Sequence, residues 1–334
     1  MSQRCVLISA PGGPEVLQLQ HRPMPEVGDD EVMIRVSAAG VNRHDCNQRR
    51  RGPTPLHSDV PGLEVAGTVV KVGSAAGGCA VGQAVCALVD GGGYARFAVA
   101  KVGQVLPMPP GLSAVEAASL PEAAFTVWHN FFHIARLAPG QAVLIHGGTS
   151  GVGVMAIQLL KALGHPVHVT CGSADKVAAA LALGATTASN YRWGHFAEEV
   201  LRCTGGRGVD AILDMSGGRH TAHNLEVLAR RGHLIHLSPG DGARFEAPLR
   251  AIMAKEARVT GSLLRPLPDD EKAVIAADLK RVLWPLLERG QVRPVVHACF
   301  PLEEAPQAHA LMEQGEHIGK IVLAVDARPG PDSE

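Results

Sequence analysis

The sequence predicts an α/β fold, with a doubly wound parallel sheet at the centre of the chain and a many-turned β domain before it. Three observations predict this. Residues 142–173, AVLIHGGTSGVGVMAIQLLKALGHPVHVTCGS, read as strand, glycine turn, helix and strand. Strand-length and helix-length apolar runs then alternate to about residue 264. Residues 1–110 instead carry short β runs separated by Gly and Pro.

Taken in order, the β runs are 5–9, 32–38, 66–71, 84–89 and 97–100, with PGGPE, RPMPEVGDD, GPTP and LPMPPG as turns or loops. Residues 113–137 are expected to be helical with a kink at Pro121. The central unit opens with a strand at 142–146. Its helix, 154–163, places Ala156, Leu159, Leu160 and Leu163 on one face and is closed by Gly164. A second strand follows at 166–171. A parallel pair of strands needs a crossover of this kind. Beyond it come a helix at 175–183 ended by Gly184, a strand at 186–189, a helix at 196–203 and a strand at 209–213. A helix at 221–230, a strand at 233–237 and a sixth strand at 258–264 complete the alternation. From about Pro294 the chain returns to short strands and one helix, 306–314, expected to complete the first domain; the last residues, ARPGPDSE, read as a disordered tail.

The turn between the first central strand and its helix has the chemistry of a phosphate cradle. Glycines let the backbone approach a pyrophosphate, and the helix that follows directs its free amides and positive dipole end at the anion. The dinucleotide fingerprint G-x-G-x-x-G appears as Gly148-x-Ser150-x-x-Gly153, with Gly151 and Val152 at the helix start. At the end of the second strand an NAD site carries an Asp or Glu for the ribose hydroxyls. Here Gly172 and Ser173 stand there, followed by Lys176, and the first acid is Asp175. Small polar donors and a cation suit a 2′-phosphate, so NADPH is expected rather than NADH.

The bulk properties narrow the function further. A chain of 334 residues suggests about two domains, and 46% hydrophobic residues suggest a large core. A net charge of −1 attracts neither nucleic acid nor an anionic membrane. No apolar run reaches the roughly 18 residues of a membrane span, and the first residues lack the apolar region of a signal peptide. The seven cysteines, at 5, 46, 79, 86, 171, 203 and 299, are scattered and odd in number, as expected in a reducing cytosol.

Further motifs span nearly the whole chain: APGGPE at 10–15, Gly40-Val41-Asn42-Arg43-x-Asp45, PGLEVAG at 61–67, GGGYA at 91–95, and LPEA at 120–123 with Thr126. The glycine turn, Asn190-Tyr191, GSLLR at 261–265 and Ile318-Gly319-Lys320 complete the set. With these residues the chain resembles the medium-chain dehydrogenases/reductases. Within them it is similar to the zinc-free, zeta-crystallin-like quinone oxidoreductases, and closest to the p53-inducible quinone oxidoreductase subgroup.

The resemblance implies a GroES-like β domain (1–120 and 266–334) and a Rossmann domain (121–265), an active-site cleft between them, and a homodimer joined through Rossmann edges. It implies site residues as well. Asn42 is expected to meet the quinone oxygen or the nicotinamide ribose, or to cap a turn. Asp45 is expected to hold the Asn42 loop or to act in catalysis with Asn42 and Ser150, and Thr126 to meet the nicotinamide carboxamide. Ser150 is placed near the pyrophosphate or nicotinamide, Ser173, Lys176 and Tyr191 at the 2′-phosphate and adenosine, and Arg265 and Lys320 along the cofactor. In zinc-dependent relatives a Cys stands at the position of Asn42 and a His at that of Leu63, and neither residue present here replaces those ligands, so no metal is expected. An electron-poor acceptor takes hydride without a Lewis acid, and water protonates the quinol. NADPH-dependent quinone reduction is therefore expected, with enal/enone reduction and non-catalytic NADPH binding as alternatives. One departure concerns the acceptor: the subgroup's tyrosine after the Asn42 segment is missing, and Gln48-Arg49-Arg50-Arg51-Gly52-Pro53 stands there. The three arginines read as a solvated face, or as a site for an anionic acceptor.

Overall fold

The computed structural model describes residues 2–54, 58–194, 196–240 and 244–325; the expected tail at 327–334 lies outside them. The chain forms two compact units, one of residues 1–123, 268–288 and 294–334, the other of residues 124–267 and 289–293.

In the first unit β1 (Ser2–Ile8) and β2 (Leu17–Pro23) pair antiparallel. β3 (Glu31–Val41) then runs through the core of the unit. Val32, Ile34 and Val36 are fully buried, Met33 between them is buried as well, and Arg35 is the one exposed residue of the strand, so both faces of β3 are covered along most of its length. Asn42 opens α1 (Arg43–Arg51), which ends at Gly52 with φ 84°. The sequence reading placed no helix here, because its polar residues show no apolar stripe. β4 (Glu64–Val72), β5 (Ala84–Leu88), β6 (Phe97–Lys101) and β7 (Val105–Pro107) follow. The helical stretch expected at 113–137 is broken into α2 (Ala114–Ala117), capped by Ser113 and Glu116, then α3 (Pro121–Trp128) and a wider π turn over His129–Ile134. Pro121 has no amide hydrogen to continue a helix and instead starts a new one, where that hydrogen is not needed.

The second unit is built on β8 (Val143–His146), α4 (Gly151–Ala162), β9 (Val167–Cys171), α5 (Ala174–Leu183) and β10 (Thr187–Asn190). α6 (Phe196–Cys203), β11 (Val209–Asp214), α7 (Thr221–Val227), β12 (Leu228–His236), α8 (Leu249–Lys255) and β13 (Arg258–Gly261) complete it. α7 stops three residues before the expected end, because Leu228 already belongs to β12. The six strands are parallel in the order β10-β9-β8-β11-β12-β13. Successive crossovers run one way from β8 to β9 and β10, and the other way from β8 to β11, β12 and β13. A crevice opens outside the carboxyl ends of the strands where this order reverses.

The chain then returns to the first unit. α9 (Asp269–Glu288), which the sequence reading did not anticipate, buries Ile275, Leu279, Leu283 and Leu286 on one face. The Lys272 ammonium donates to Asp90 at 2.9 Å and the Trp284 indole to the Pro107 carbonyl at 2.8 Å, tying α9 to that unit. β14 (Val296–Pro301), α10 (Ala305–Gln314) and β15 (Lys320–Ala324) finish it. β15 pairs antiparallel with β3, so the last strands complete the N-terminal sheet in the order β14-β15-β3-β4-β5-β7, with β6 also on β3.

Candidate active site

At the carboxyl end of β8 the chain turns at Gly147, with φ 77°. The Gly147 and Gly148 amides both donate to the Thr170 carbonyl at 3.0 Å, which holds the turn against β9. A Cβ on Gly153 would lie 2.4 Å from the Gly147 carbonyl oxygen, and one on Gly148 2.6 Å from the Val169 Cβ. No side chain fits at either place. Ser150 caps α4, its hydroxyl accepting from the Gly153 amide at 3.0 Å. First-turn amides, here those of Gly151 and Val152, have no acceptor within a helix. They offer donors and a positive dipole end to an anion, so the turn fits a dinucleotide pyrophosphate.

One crossover further on, Ser173 caps α5 by accepting from the Lys176 amide at 3.3 Å. Tyr191 follows β10, its amide donating to the Cys171 carbonyl at 3.0 Å. Its hydroxyl lies 2.8 Å from where a Cβ on Gly172 would stand. Gly172, Ser173, Lys176 and Tyr191, separated by up to 19 positions in sequence, thus meet beyond β9 and β10 on one side of the α4 N-terminus.

Beneath the crevice lies a buried polar chain that sequence reasoning missed. His146 faces the Thr170 hydroxyl at 2.8 Å through Nδ1 and the Asn224 amide oxygen at 2.7 Å through Nε2. Asn224 donates to Asp214 at 2.9 Å. Since an amide oxygen only accepts, the His146 proton sits on Nε2, and Thr170 donates to Nδ1. Burial holds His146 below the ordinary histidine range. His220 stacks on it at 4.8 Å and is pushed down to about 4, first by burial and then by His146. The strand ends carry these residues in neutral form.

The first unit holds a second polar cluster. Lys320 donates to Glu64 at 2.5 Å and to Asn42 Oδ1 at 2.6 Å, while Asn42 Nδ2 donates to the same Glu64 oxygen at 2.9 Å. A Cβ on Gly40 would stand 2.2 Å from that oxygen, so the glycine makes room for the carboxylate. The other Glu64 oxygen accepts from the Glu122 amide at 2.9 Å. Asp45 is enclosed: it accepts from the Asn42 amide at 2.8 Å, the Gly62 amide at 3.1 Å and the Tyr94 hydroxyl at 3.3 Å. Burial raises its carboxyl to about 6, although the two amides pull it down. Glu122 is raised to about 8, by burial and then by the Glu64 charge.

A line of donors runs from this cluster to Arg49. The Arg49 guanidinium donates to His309 Nδ1 at 3.3 Å, to Glu313 at 2.5 Å and to the Gly12 carbonyl at 3.1 Å. An arginine has only donors, so the His309 proton is on Nε2 and points at the Tyr94 oxygen 3.0 Å away. Tyr94 in turn donates to Asp45. The solvated reading of the arginine run therefore fails for Arg49, which is 1% exposed; it holds for Arg50, which reaches Glu313 from the surface, and for Arg51. Of the remaining residues read from sequence, Thr126 is buried in α3 and its carbonyl accepts from Asn130 at 2.7 Å, and Arg265 follows β13 in the same unit.

The profile of the alcohol dehydrogenase GroES-like domain matches residues 28–110, and that of the zinc-binding dehydrogenase family matches residues 183–323. The mouse quinone oxidoreductase is 32% identical over 329 residues, covering 96% of this chain and 97% of that protein. A mycobacterial protein complexed with NADPH superposes with a TM-score of 0.85 at 28% identity, covering 96% of this chain and all of the other. The CurK enoyl reductase superposes with a TM-score of 0.81 at 25% identity, over 96% of this chain and 99% of that one. The zinc of the second family description does not fit the residues here. The Lys320 ammonium already engages Asn42 and Glu64. Among the described residues no three His, Cys, Asp or Glu side chains gather as a ligand set. The fold, the strand order and the relatives agree, and the chain belongs to the quinone oxidoreductases of the medium-chain dehydrogenase/reductase superfamily.

Proposed function

We propose that this chain is an NADPH-dependent, zinc-independent quinone oxidoreductase. The observation that carries the cofactor choice is the group beyond β9 and β10, where the Tyr191 hydroxyl reaches Gly172, Ser173 caps α5 by accepting from the Lys176 amide, and the strand end carries no carboxylate before Asp175. When bound, NADPH supplies a hydride. The Gly148–Gly153 turn would hold the pyrophosphate, and Lys176 with the Ser173 hydroxyl the 2′-phosphate. Thr126 and Arg265 are assigned to the nicotinamide half of the cofactor site. Asn42 is assigned to the nicotinamide ribose or the acceptor oxygen. Asp45 and Lys320 act through Asn42, one fixing its backbone and the other its side-chain oxygen, so both are positioning residues. The mycobacterial relative complexed with NADPH supports this choice.

Oxidation of NADPH by chelator-treated protein tests the reading, with 9,10-phenanthrenequinone, 1,4-benzoquinone and a small enone side by side and NADH as control. NADPH-dependent quinone turnover that survives the chelator is expected. Lys176→Ala should raise the NADPH dissociation constant about tenfold and leave that of NADH unchanged, since one charge-assisted contact is worth roughly 1.5–3 kcal/mol. Equal loss for both cofactors would overturn the phosphate role. The likeness to an enoyl reductase favours one second reading, reduction of a conjugated double bond. A saturated ketone as the main product, with no quinol from the quinones, would select it.

We also assign the chain to the cytosol and to a homodimer. All seven cysteines are free, and no described helix is long and apolar enough to cross a membrane. β13 is an edge strand, preceded by α8 with Leu249 and Met253 exposed and followed by exposed Leu263. An open edge beside apolar side chains is a surface suited to pairing.

A further inference from the structure

The buried polar chain beneath the crevice sits where the parallel sheet comes apart. β8 pairs with β9 as far as His146 and Thr170, and β11 pairs with β12 as far as Asp214 and His236. The ladder between β8 and β11 stops one level earlier, at Ile145 and Leu213. The next residues on these two strands, His146 and Asp214, are joined through a side chain instead. Asn224 of α7, fully buried, accepts from His146 Nε2 at 2.7 Å and donates to Asp214 at 2.9 Å. It stands as a wedge between the two strands at which the strand order reverses.

The chemistry of the partners allows the wedge one orientation. A carboxylate only accepts, so the Asn224 amide nitrogen faces Asp214 and its oxygen faces His146. That oxygen needs the His146 proton on Nε2, and the Thr170 hydroxyl, 2.8 Å from Nδ1, keeps it there. Asp214 also accepts from the amide and the hydroxyl of Ser216, both at 2.7 Å. Thr170, His146, Asn224 and Asp214 are each at most 1% exposed. A buried network in which every member is satisfied holds one arrangement rigidly.

The two ends of the chain are the turns that border the crevice. His146 runs directly into Gly147 and Gly148, whose amides the Thr170 carbonyl holds. Asp214 fixes Ser216 in the turn after β11. The two turns touch, since the Ser150 hydroxyl lies 3.5 Å from the Met215 sulfur, and a Cβ on Gly147 would stand 3.4 Å from the same atom. A dinucleotide laid across the crevice would pass over both, with its adenosine over β9 and β10 and its nicotinamide over β11 and β12. We propose that Asn224 is a positioning residue that sets the width of this crevice, acting through His146 on the pyrophosphate turn and through Asp214 on the turn after β11. A ligand that spans both turns depends on their spacing, whereas a ligand seated on one side does not. The inference rests on the dinucleotide reading of the site given above.

The test compares NADPH with its two halves, 2′,5′-ADP and reduced nicotinamide mononucleotide, as ligands measured by calorimetry. Asn224→Leu keeps the branched skeleton of the side chain and removes both hydrogen bonds. It should weaken NADPH about tenfold or more and each half less than about twofold, because only the whole dinucleotide must engage both sides at once. Thr170→Val is the gentler variant. It frees the His146 proton to move to Nδ1 and should weaken NADPH severalfold, and Thr170→Ser, which returns the hydroxyl, should recover the affinity. Urea midpoints measured alongside separate these effects from a loss of folding, since a merely structural role lowers the midpoint without changing the ratio of whole to halves. If folded Asn224→Leu and Thr170→Val bind NADPH as the wild type does, or weaken NADPH and its halves by one common factor, the proposal is wrong. If the wild type binds NADH as tightly as NADPH and Asn224→Leu weakens both, the wedge stands and the choice of NADPH falls.

Discussion

Arg49 and its two neighbours are chemically identical and energetically unlike. Arg49 is enclosed and has three partners, so Arg49→Gln would leave His309, Glu313 and the Gly12 carbonyl short of donors. Breaking a buried charge network typically costs about 3–5 kcal/mol. Arg50→Gln and Arg51→Gln, on the surface, should cost under about 1 kcal/mol. Urea unfolding of the three variants checks this, and equal small losses would return Arg49 to the solvated face read from the sequence. Tyr94→Phe removes one hydroxyl between Asp45 and His309 and should cost about 1–3 kcal/mol, the usual penalty for orphaned buried partners. The physical reason this line was not legible is distance along the chain. Arg49 and His309 lie 260 positions apart, and Tyr94 and His309 215 apart. No local pattern marks such a pair. Asn42 and Asp45, three residues apart and joined as a helix-capping pair, carried a readable signal.

At the scale of elements, legibility follows the same rule. The β8–α4–β9 crossover was readable because glycine turn, helix cap and strand all act within about thirty residues, and each residue type had a backbone reason to be there. α9 was missed although Ile275, Leu279, Leu283 and Leu286 recur at helical spacing. The Pro285 inside it and the charged residues between obscured the stripe. α1 was missed because its buried face is polar, with Asp45, Gln48 and Arg49 inward, and no hydrophobic pattern describes such a helix. α8 makes a further prediction. It buries no side chain and exposes Leu249 and Met253, one helical turn apart, immediately before the edge strand β13. If that face is part of the proposed dimer interface, Leu249→Glu with Met253→Glu should shift sedimentation from dimer to monomer without lowering the unfolding midpoint of the monomer. A dimer unaffected by both charges would place the interface elsewhere.

Six histidines in the two units are held neutral below the ordinary range. Burial is the first cause holding His129, His146, His168, His220, His233 and His309 below the ordinary value, His220 to about 4 and His309 to about 3. In the unfolded chain each takes up a proton as pH falls through about 6.5, while the folded chain does not. Each therefore subtracts up to about 1.4 kcal/mol of stability per pH unit below that point, until its folded value is reached. Asp45 at about 6 and Glu122 at about 8 act in the opposite sense. Their folded forms keep protons that the unfolded chain has released, so they destabilise at high pH and are relieved as pH falls toward 4. Between pH 8 and 6.5 only Glu122 gains appreciably, and stability should rise on acidification. Below 6.5 six losses oppose two gains, and stability should fall steeply. A maximum near pH 6.5–7 is therefore expected in urea midpoints measured from pH 8.5 to 5 at constant ionic strength. Glu122→Gln should raise the midpoint at pH 8 more than at pH 6 and leave the acid limb in place. His309→Gln should flatten the acid limb by about one proton. A midpoint that stayed level from pH 7 to 5 would mean that these rings take up protons in the folded state, and the neutral hydrogen-bonded lines through His146 and His309 would have to be redrawn.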